Sequence, residues 1–329
     1  MTVTSADAGS IRHAAQILRE GRLVVFPTET VYGLGANALD PDAVRRIFLA
    51  KDRPPDNPLI VHVPDVAAAQ HLVTAWPPAA ERLAAAFWPG PLTLVLPRSR
   101  RVPDIVTAGL DSVAVRNPQH YVALSLLREA GVPIAAPSAN SSGRPSPTRI
   151  QDAVADLGDQ VTLYLDAGPT EVGLESTVVS LLGPQPVILR PGGVPREAIE
   201  KIVGPVSVQT AAAGPVRSPG VAHVHYAPRA RLVLCKTANL TATLQRLRQG
   251  GRRVAAVASH EAGLDGTDVR VPGSRGDARA WAHGLFATLR DLDEQHYETI
   301  VVEEIPEAGL GAAVMDRLRR GAGLPADGP

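Results

Sequence analysis

Short apolar runs alternate with amphipathic helical stretches along almost all of this chain, and that alternation admits little besides layered α/β units. Runs at 23–26, 59–63, 92–96, 112–115, 133–135, 162–165, 176–181 and 187–189 read as strands, with helices predicted over 42–50, 79–87 and 121–129. The pattern breaks once, at 209–220, where alanine, glycine, proline and serine crowd together as an extended connector. It then resumes with strands at 231–235, 253–258, 269–271 and 299–302, and helices at 240–248, 278–292 and 312–320. In the middle helix Trp281, Leu285, Leu289 and Leu292 share one face. The expected organisation is a mixed-sheet α/β domain over 1–208, a linker over 209–229, and a small Rossmann-like α/β domain with a parallel sheet over 230–321. A frayed tail follows at 322–329.

Composition narrows the class further. With 329 residues and 45% hydrophobic content the chain can fill two ordinary cores. Formal net charge is zero, so no global field draws the molecule to nucleic acid or to an anionic membrane, and any basic site must be local. The single cysteine, Cys235, excludes an internal disulfide and a multi-cysteine zinc site, and its apolar run reads as a packed thiol. Residues 1–20 combine polar positions with a short amphipathic pattern at Ile11, Ala15 and Leu18, unlike a signal peptide, and nothing later approaches a membrane span; a cytoplasmic location is expected.

Three clusters carry chemistry. The first follows the opening strand, where Gly33-Leu34-Gly35-Ala36-Asn37-Ala38 fits half of a dinucleotide-binding turn before a helix capped by Asp40. The intervening Pro27–Tyr32 stretch separates strand from glycines too widely for a pyrophosphate to meet a helix end. Thr28 and Thr30 are then candidate hydroxyl donors to a polar ligand, with a bland tight turn as the alternative. The second cluster, Lys51-Asp52-Arg53-Pro54-Pro55-Asp56-Asn57-Pro58, places one of only three lysines beside an arginine at a helix end, followed by His62. A point charge and a planar fork together suit a polyphosphate, and the two prolines stiffen the turn that presents them. A solvated helix C-terminus is the competing account. The third, Ala135-Ala136-Pro137-Ser138-Ala139-Asn140-Ser141-Ser142-Gly143-Arg144-Pro145-Ser146, runs from a strand into small hydroxyl and amide residues that would let a phosphate approach the backbone.

Arg116, Ser176 and Arg190 also stand at predicted strand ends, and together these groups describe an anionic-ligand crevice. Glu29 and Glu175 lie nearby as orienting, magnesium-linked or ion-paired groups. His223 and His225 form at most a weak metal pair, and no dedicated metal cage is visible. The chain has no Walker-type loop, no nucleophile elbow and no H-E-x-x-H.

At these residues the chain resembles the Sua5/YrdC/YciO family in its two-domain form. Phe26-Pro27-Thr28-Glu29-Thr30-Val31-Tyr32-Gly33-Leu34-Gly35, Lys51-x-Arg53 with Asn57-Pro58-Leu59-Ile60, Trp88-Pro89-Gly90-Pro91-Leu92-Thr93, Ser138-Ala139-Asn140, Glu175-Ser176-Thr177 and Leu189-Arg190-Pro191-Gly192 occur in family order. Ser218-Pro219-Gly220 followed by His225-Tyr226-Ala227-Pro228 is similar to the linker of the two-domain form, although Val221, Ala222, His223 and Val224 depart from its usual continuation.

The resemblance implies a YrdC-like first domain and the condensation of L-threonine, bicarbonate and ATP to threonylcarbamoyl-AMP and pyrophosphate. That product feeds the threonylcarbamoylation of adenosine 37 in tRNA through a downstream transferase machinery. It also implies L-threonine contacts from Thr28, His62, Arg116, Ala136 and Ser176. ATP contacts would come from Lys51, Arg53, Asn57, Ser112, Ser138, Asn140, Ser146, Arg190 and Tyr226, with Lys51 and Arg53 as the catalytic cations and Mg2+ accompanying ATP. Tyr226 would make the linker a lid, and the C-terminal domain would support that lid or dimerise. Two rivals are a hydrogenase-maturation carbamoyl transferase, whose acylphosphatase and cysteine-rich zinc segments have no counterpart here, and an RNA-binding module, which the zero net charge and sparse aromatics disfavour.

Overall fold

The computed structural model describes residues 1–209 and 225–324. Most of the connector, including Ser218-Pro219-Gly220, Val221–Val224 and the His223 half of the histidine pair, lies outside the described residues, as does 325–329 of the tail.

The N-terminal strands are β1 (Thr2–Ser5), β2 (Val24–Phe26), β3 (Gly33–Asn37), β4 (Ile60–His62), β5 (Leu92–Pro97), β6 (Ser112–Arg116), β7 (Ile134–Ala135), β8 (Leu163–Asp166), β9 (Thr177–Ser180), β10 (Val187–Arg190) and β11 (Ser207–Val208). They form one eleven-stranded mixed sheet in the order β1-β8-β2-β3-β7-β4-β6-β5-β9-β10-β11. Its parallel and antiparallel pairs bring distant loops to one region. β4 runs parallel to β6 with His62 opposite Arg116, β5 runs parallel to β9 with Leu92 opposite Thr177, and β10 returns antiparallel to β9. His62, Arg116, Ser176 and Arg190 therefore collect at neighbouring strand ends.

Gly33–Asn37 is neither a dinucleotide turn, which the Pro27–Tyr32 spacing argued against, nor a tight turn, but strand β3, antiparallel to β2 with Phe26 opposite Gly33. The glycines serve packing. A Cβ on Gly35 would fall 2.8 Å from the Phe26 ring and 2.9 Å from Ile134 Cγ2, so the aromatic ring of β2 lies flat across a strand that has no side chain there. The following helix, Pro41–Lys51, begins as expected on Asp40, whose Oδ1 accepts from Asp42 N at 2.9 Å and Ala43 N at 3.2 Å. It ends on Asp52 in the left-handed region, φ 50°, which turns Arg53 away from the helix axis immediately after Lys51. Strands β1 and β11 had no clear signal in the sequence, being short, polar and mostly exposed.

After the connector, β12 (Arg231–Cys235), β13 (Val254–Val257), β14 (Val269–Arg270) and β15 (Thr299–Glu303) make an all-parallel sheet in the order β12-β15-β13-β14. Helix Ala278–Glu294 buries Trp281, Leu285, Leu289 and Leu292 as the periodicity required. Cys235 is a buried, unbridged thiol.

The two units share apolar and polar contacts. Val31 and Leu174 of the first pack with Tyr226 of the linker and with Trp281 and Phe286 of the second. Asp156, fully buried, is held by Arg144 at 2.7 Å and by Arg290 of the C-terminal unit at 2.8 Å. Arg144 also reaches Asp293 at 3.1 Å.

Candidate active site

A crevice opens where these strand ends and the returning chain meet. It is lined by Thr28, Thr30, Lys51, Arg53, His62, Arg116, Ala136, Ser138, Asn140, Ser146, Ser176, Arg190 and Tyr226, and in addition by Ser142, Gly143, Arg144, Glu175 and His225. The space within it, open solvent at the mouth included, is about 740 Å³.

One side presents small hydroxyls, an imidazole and an arginine. Thr28 Oγ1 stands 2.8 Å from Thr30 Oγ1, donates to the Val31 carbonyl at 2.6 Å, and receives the Thr30 and Val31 amides, each at 3.2 Å. Arg116 is held in three directions: Nη1 donates to Thr30 Oγ1 at 3.0 Å, Nε to the Gly90 carbonyl at 3.2 Å, and Nη2 lies 2.7 Å from Glu29 Oε1. His62, 4% exposed, sits edge-on to Phe26 with ring centres 6.2 Å apart. Burial first, and the Arg116 charge second, push its pKa down to about 3, so it meets a ligand as neutral imidazole. Its Nδ1 has no hydrogen-bond partner among the described residues.

The other side is cationic. Lys51 is 2% exposed and donates Nζ to the carbonyls of Ser138, at 2.6 Å, and Asn140. Burial, reinforced by Arg53, holds its ammonium pKa well below the usual lysine value. The lysine thus does two things: it fixes the 138–140 backbone and leaves its charge in the crevice wall. Arg53 is braced by the carbonyls of Asn57 at 3.3 Å and Pro58 at 3.0 Å, and burial brings its pKa down to about 10. Arg190 donates to the Ser176 carbonyl at 2.9 Å and its Oγ at 3.3 Å, while Ser176 Oγ is 2.8 Å from Thr93 Oγ1. Asn140 donates Nδ2 to the Ser141 and Arg144 carbonyls, and its Oδ1, buried, has no partner among the described residues. Such an acceptor, costly to bury alone, is a place for a ligand donor.

Two residues expected at the nucleotide are not brought into the crevice lining. Asn57 is buried behind it and contributes its carbonyl to Arg53. Ser112 opens β6, at the opposite end of that strand from Arg116, and lines a separate hollow with Pro97, Asp111 and Leu182. An extended strand of this length separates its two ends by roughly 13 Å. Thr30, read from the sequence as a candidate hydroxyl donor, does line the crevice, whereas Arg144 and His225 line it without having been assigned a contact. Arg144 stood inside a motif already singled out, and only its side-chain direction was missing.

The acids are both engaged by arginine. Glu29 faces Arg116, and Glu175 accepts from Ser146 Oγ and from Arg317 Nε at 2.8 Å. Burial alone would raise the Glu175 pKa, but Arg317, Arg190 and the Ser146 hydroxyl outweigh it and hold the carboxyl below its ordinary value. Among the described residues no group of three or more histidines, cysteines or acids could hold a metal ion.

A cationic wall facing a pocket of hydroxyls, joined to a small parallel α/β unit, defines a two-unit α/β protein with a crevice suited to an anionic ligand. A family described as telomere recombination matches residues 16–192, and one described as threonylcarbamoyl-AMP synthase, C-terminal domain, matches 194–323. The threonylcarbamoyl-AMP synthase of Bacillus subtilis is 45% identical, with 97% of this chain and 94% of that protein covered. The Pyrococcus abyssi synthase is 44% identical over 95% of this chain and 94% of its own length. The crystal structure of P. abyssi Sua5 complexed with L-threonine superposes with a TM-score of 0.93 at 41% identity, covering 98% of both chains. The chain belongs to the two-domain Sua5 family of threonylcarbamoyl-AMP synthases.

Proposed function

We propose that the crevice binds L-threonine on its Thr28, His62, Arg116, Ala136 and Ser176 side and ATP on its Lys51, Arg53, Ser138, Asn140, Ser146, Arg190 and Tyr226 side, and joins them through bicarbonate. The L-threonine amine would attack the carbon of bicarbonate, the N–C bond of the carbamate forming as water leaves, and a carbamate oxygen would then attack the α-phosphate. The new O–P bond forms as the bond to the β-phosphate bridging oxygen breaks, giving threonylcarbamoyl-AMP and pyrophosphate. The observation that carries this reading is the juxtaposition itself: a neutral His62 and a fixed Arg116 on one side, and buried cations on the other. Arg116, preset by Glu29 and Thr30, offers a planar fork to the amino-acid carboxylate. Lys51, Arg53 and Arg190 stand where charge develops on the phosphates, at little reorganisation cost because the backbone already braces them.

Mg2+ would arrive on ATP and neutralise phosphate charge there. Tyr226 closes one wall, stacked on Phe286 with ring centres 5.5 Å apart, and would exclude water from a hydrolysable adenylate. The product would pass to the machinery that threonylcarbamoylates adenosine 37 of tRNA, which places the activity in the cytoplasm; no helix of the described residues is long and apolar enough to cross a membrane.

The test is pyrophosphate release from ATP by the purified protein, with L-threonine and bicarbonate omitted singly and together, beside Tyr226→Ala. Release that requires both co-substrates is the expected result. Release indifferent to them, from folded protein, would overturn the reading and bring the RNA-binding alternative forward.

A further inference from the structure

The C-terminal unit sends one side chain to the back of the crevice wall. Arg317, on helix Leu310–Gly321, is 1% exposed. Its Nε donates to Glu175 Oε2 at 2.8 Å and its Nη2 to the Pro191 carbonyl at 3.0 Å, and its guanidinium carbon lies 5.0 Å from the centre of the Tyr226 ring. Glu175 and Tyr226 line the crevice, and Pro191 follows Arg190. The backbones so tied are in contact already, since a Cβ at Gly192 would fall 2.4 Å from the Glu175 carbonyl oxygen.

The groups facing Glu175 are Arg317 from the helix, Arg190 from the end of β10, the Ser146 hydroxyl and the Tyr226 phenol; Asp316 stands beside them as the partner of Arg317 Nη1 and acts on Arg190 and Tyr226. A buried carboxylate keeps its charge only beside a cation. Two arginines are near enough to serve, and one of them, Arg190, belongs to the proposed nucleotide side. We infer that Arg317 is a positioning residue for ATP: by holding one oxygen of the Glu175 carboxylate on its Nε, with Nη1 on Asp316 and Nη2 on the Pro191 carbonyl fixing the guanidinium, it keeps that carboxylate from competing with the phosphates for Arg190, and it holds the Tyr226 ring in place. The inference rests on the reading of this crevice as the ATP site. It gives the C-terminal unit a direct part in substrate binding.

The experiment measures KM for ATP and for L-threonine by pyrophosphate release in wild type, Arg317→Met and Arg317→Lys, with thermal unfolding of each. In Arg317→Met the KM for ATP is expected to rise about ten-fold, as for loss of a hydrogen bond to a charged group, with the KM for L-threonine little changed. The ratio of variant to wild-type ATP KM should climb between about pH 6 and about pH 8.5, the range into which burial moves an uncompensated carboxyl. There Glu175 ionises without its partner and turns to Arg190. Adding Glu175→Gln should abolish that climb, and Arg317→Lys should show a smaller loss without it. Equal rises in both KM values, or an ATP loss flat with pH and indifferent to Glu175→Gln, would overturn the inference. If Arg317→Met does not fold, Arg317→Lys and the Arg317→Met/Glu175→Gln pair carry the test, an ATP-selective rise supporting it and an equal rise defeating it. Failure of the broader reading would show separately, as wild-type release that ignores L-threonine and bicarbonate.

Discussion

The crevice of the eleven-stranded sheet and the parallel sheet of the C-terminal unit both bury charge, but they finish the task differently. Glu303, 0% exposed at the end of β15, receives Thr237 Oγ1 at 2.5 Å and the Ser259 amide at 2.6 Å, while Asp293 receives the Arg229 and Ala230 amides and Arg144. In the crevice, His62 Nδ1 and Asn140 Oδ1 are buried without a partner among the described residues, and Lys51 is desolvated far enough to lower its pKa. Of the satisfied charges, the Asp293–Arg144 pair also ties the two units together. The C-terminal sheet leaves the Ser259 and Thr299 hydroxyls without a partner among the described residues, but the incomplete groups of the crevice, an imidazole and an amide, line its wall, where a ligand can complete them.

That contrast can be broken by substitution. Lys51→Ala removes the cation and leaves the Ser138 and Asn140 carbonyls without their donor; pyrophosphate release should fall by about 10²–10³-fold, the usual cost of one preorganised transition-state donor. Arg290→Met attacks the satisfied kind of site instead. It strips Asp156 of one of its two arginines and the Pro145 carbonyl of its donor, and urea unfolding should show a loss of about 3 kcal/mol. Glu29→Gln leaves Arg116 its Thr30 and Gly90 bonds but removes the facing charge; the KM for L-threonine should rise about ten-fold while that for ATP holds.

The pH dependence sharpens the comparison further. Because the His62 pKa is depressed to about 3 in the folded protein, the unfolded chain binds the extra proton below its own value of about 6.5. Stability from this group is complete above about pH 6.5 and is lost as pH falls toward 3, at no more than about 1.4 kcal/mol per pH unit. His62→Gln should flatten that limb of a stability-against-pH series. Smallest of all, Asp268→Asn removes an ion pair with Arg248 that is 44% exposed on the arginine side and should shift stability by less than about 0.5 kcal/mol.

How much of this was legible beforehand depends on the distance over which each feature is encoded. The helix Pro41–Lys51 announced itself through Asp40 and Pro41, and β12 through an unbroken apolar run. At Gly33–Asn37 the spacing ruled out a dinucleotide turn but could not show what the glycines are for, because glycines that admit a phosphate and glycines that admit a phenylalanine ring look alike in one dimension. Ser112 shows another limit: a residue is placed by its strand, and only the pairing of β6 with β4 decides which end of β6 meets the crevice.

By itself, then, the sequence determined two α/β units, their family and the residue types that would meet substrate, because periodicity, caps and motif strings are local. Tertiary structure alone decided that Lys51 anchors the 138–140 backbone, that Glu29 and Glu175 are each matched to an arginine, and that one of those arginines, Arg317, comes from the other unit. Nothing near Arg317 in the chain distinguishes it from Arg319 or Arg320. Its role exists only because two separately built cores meet over Tyr226, and burial there turns an ordinary helix arginine into the counter-charge of Glu175.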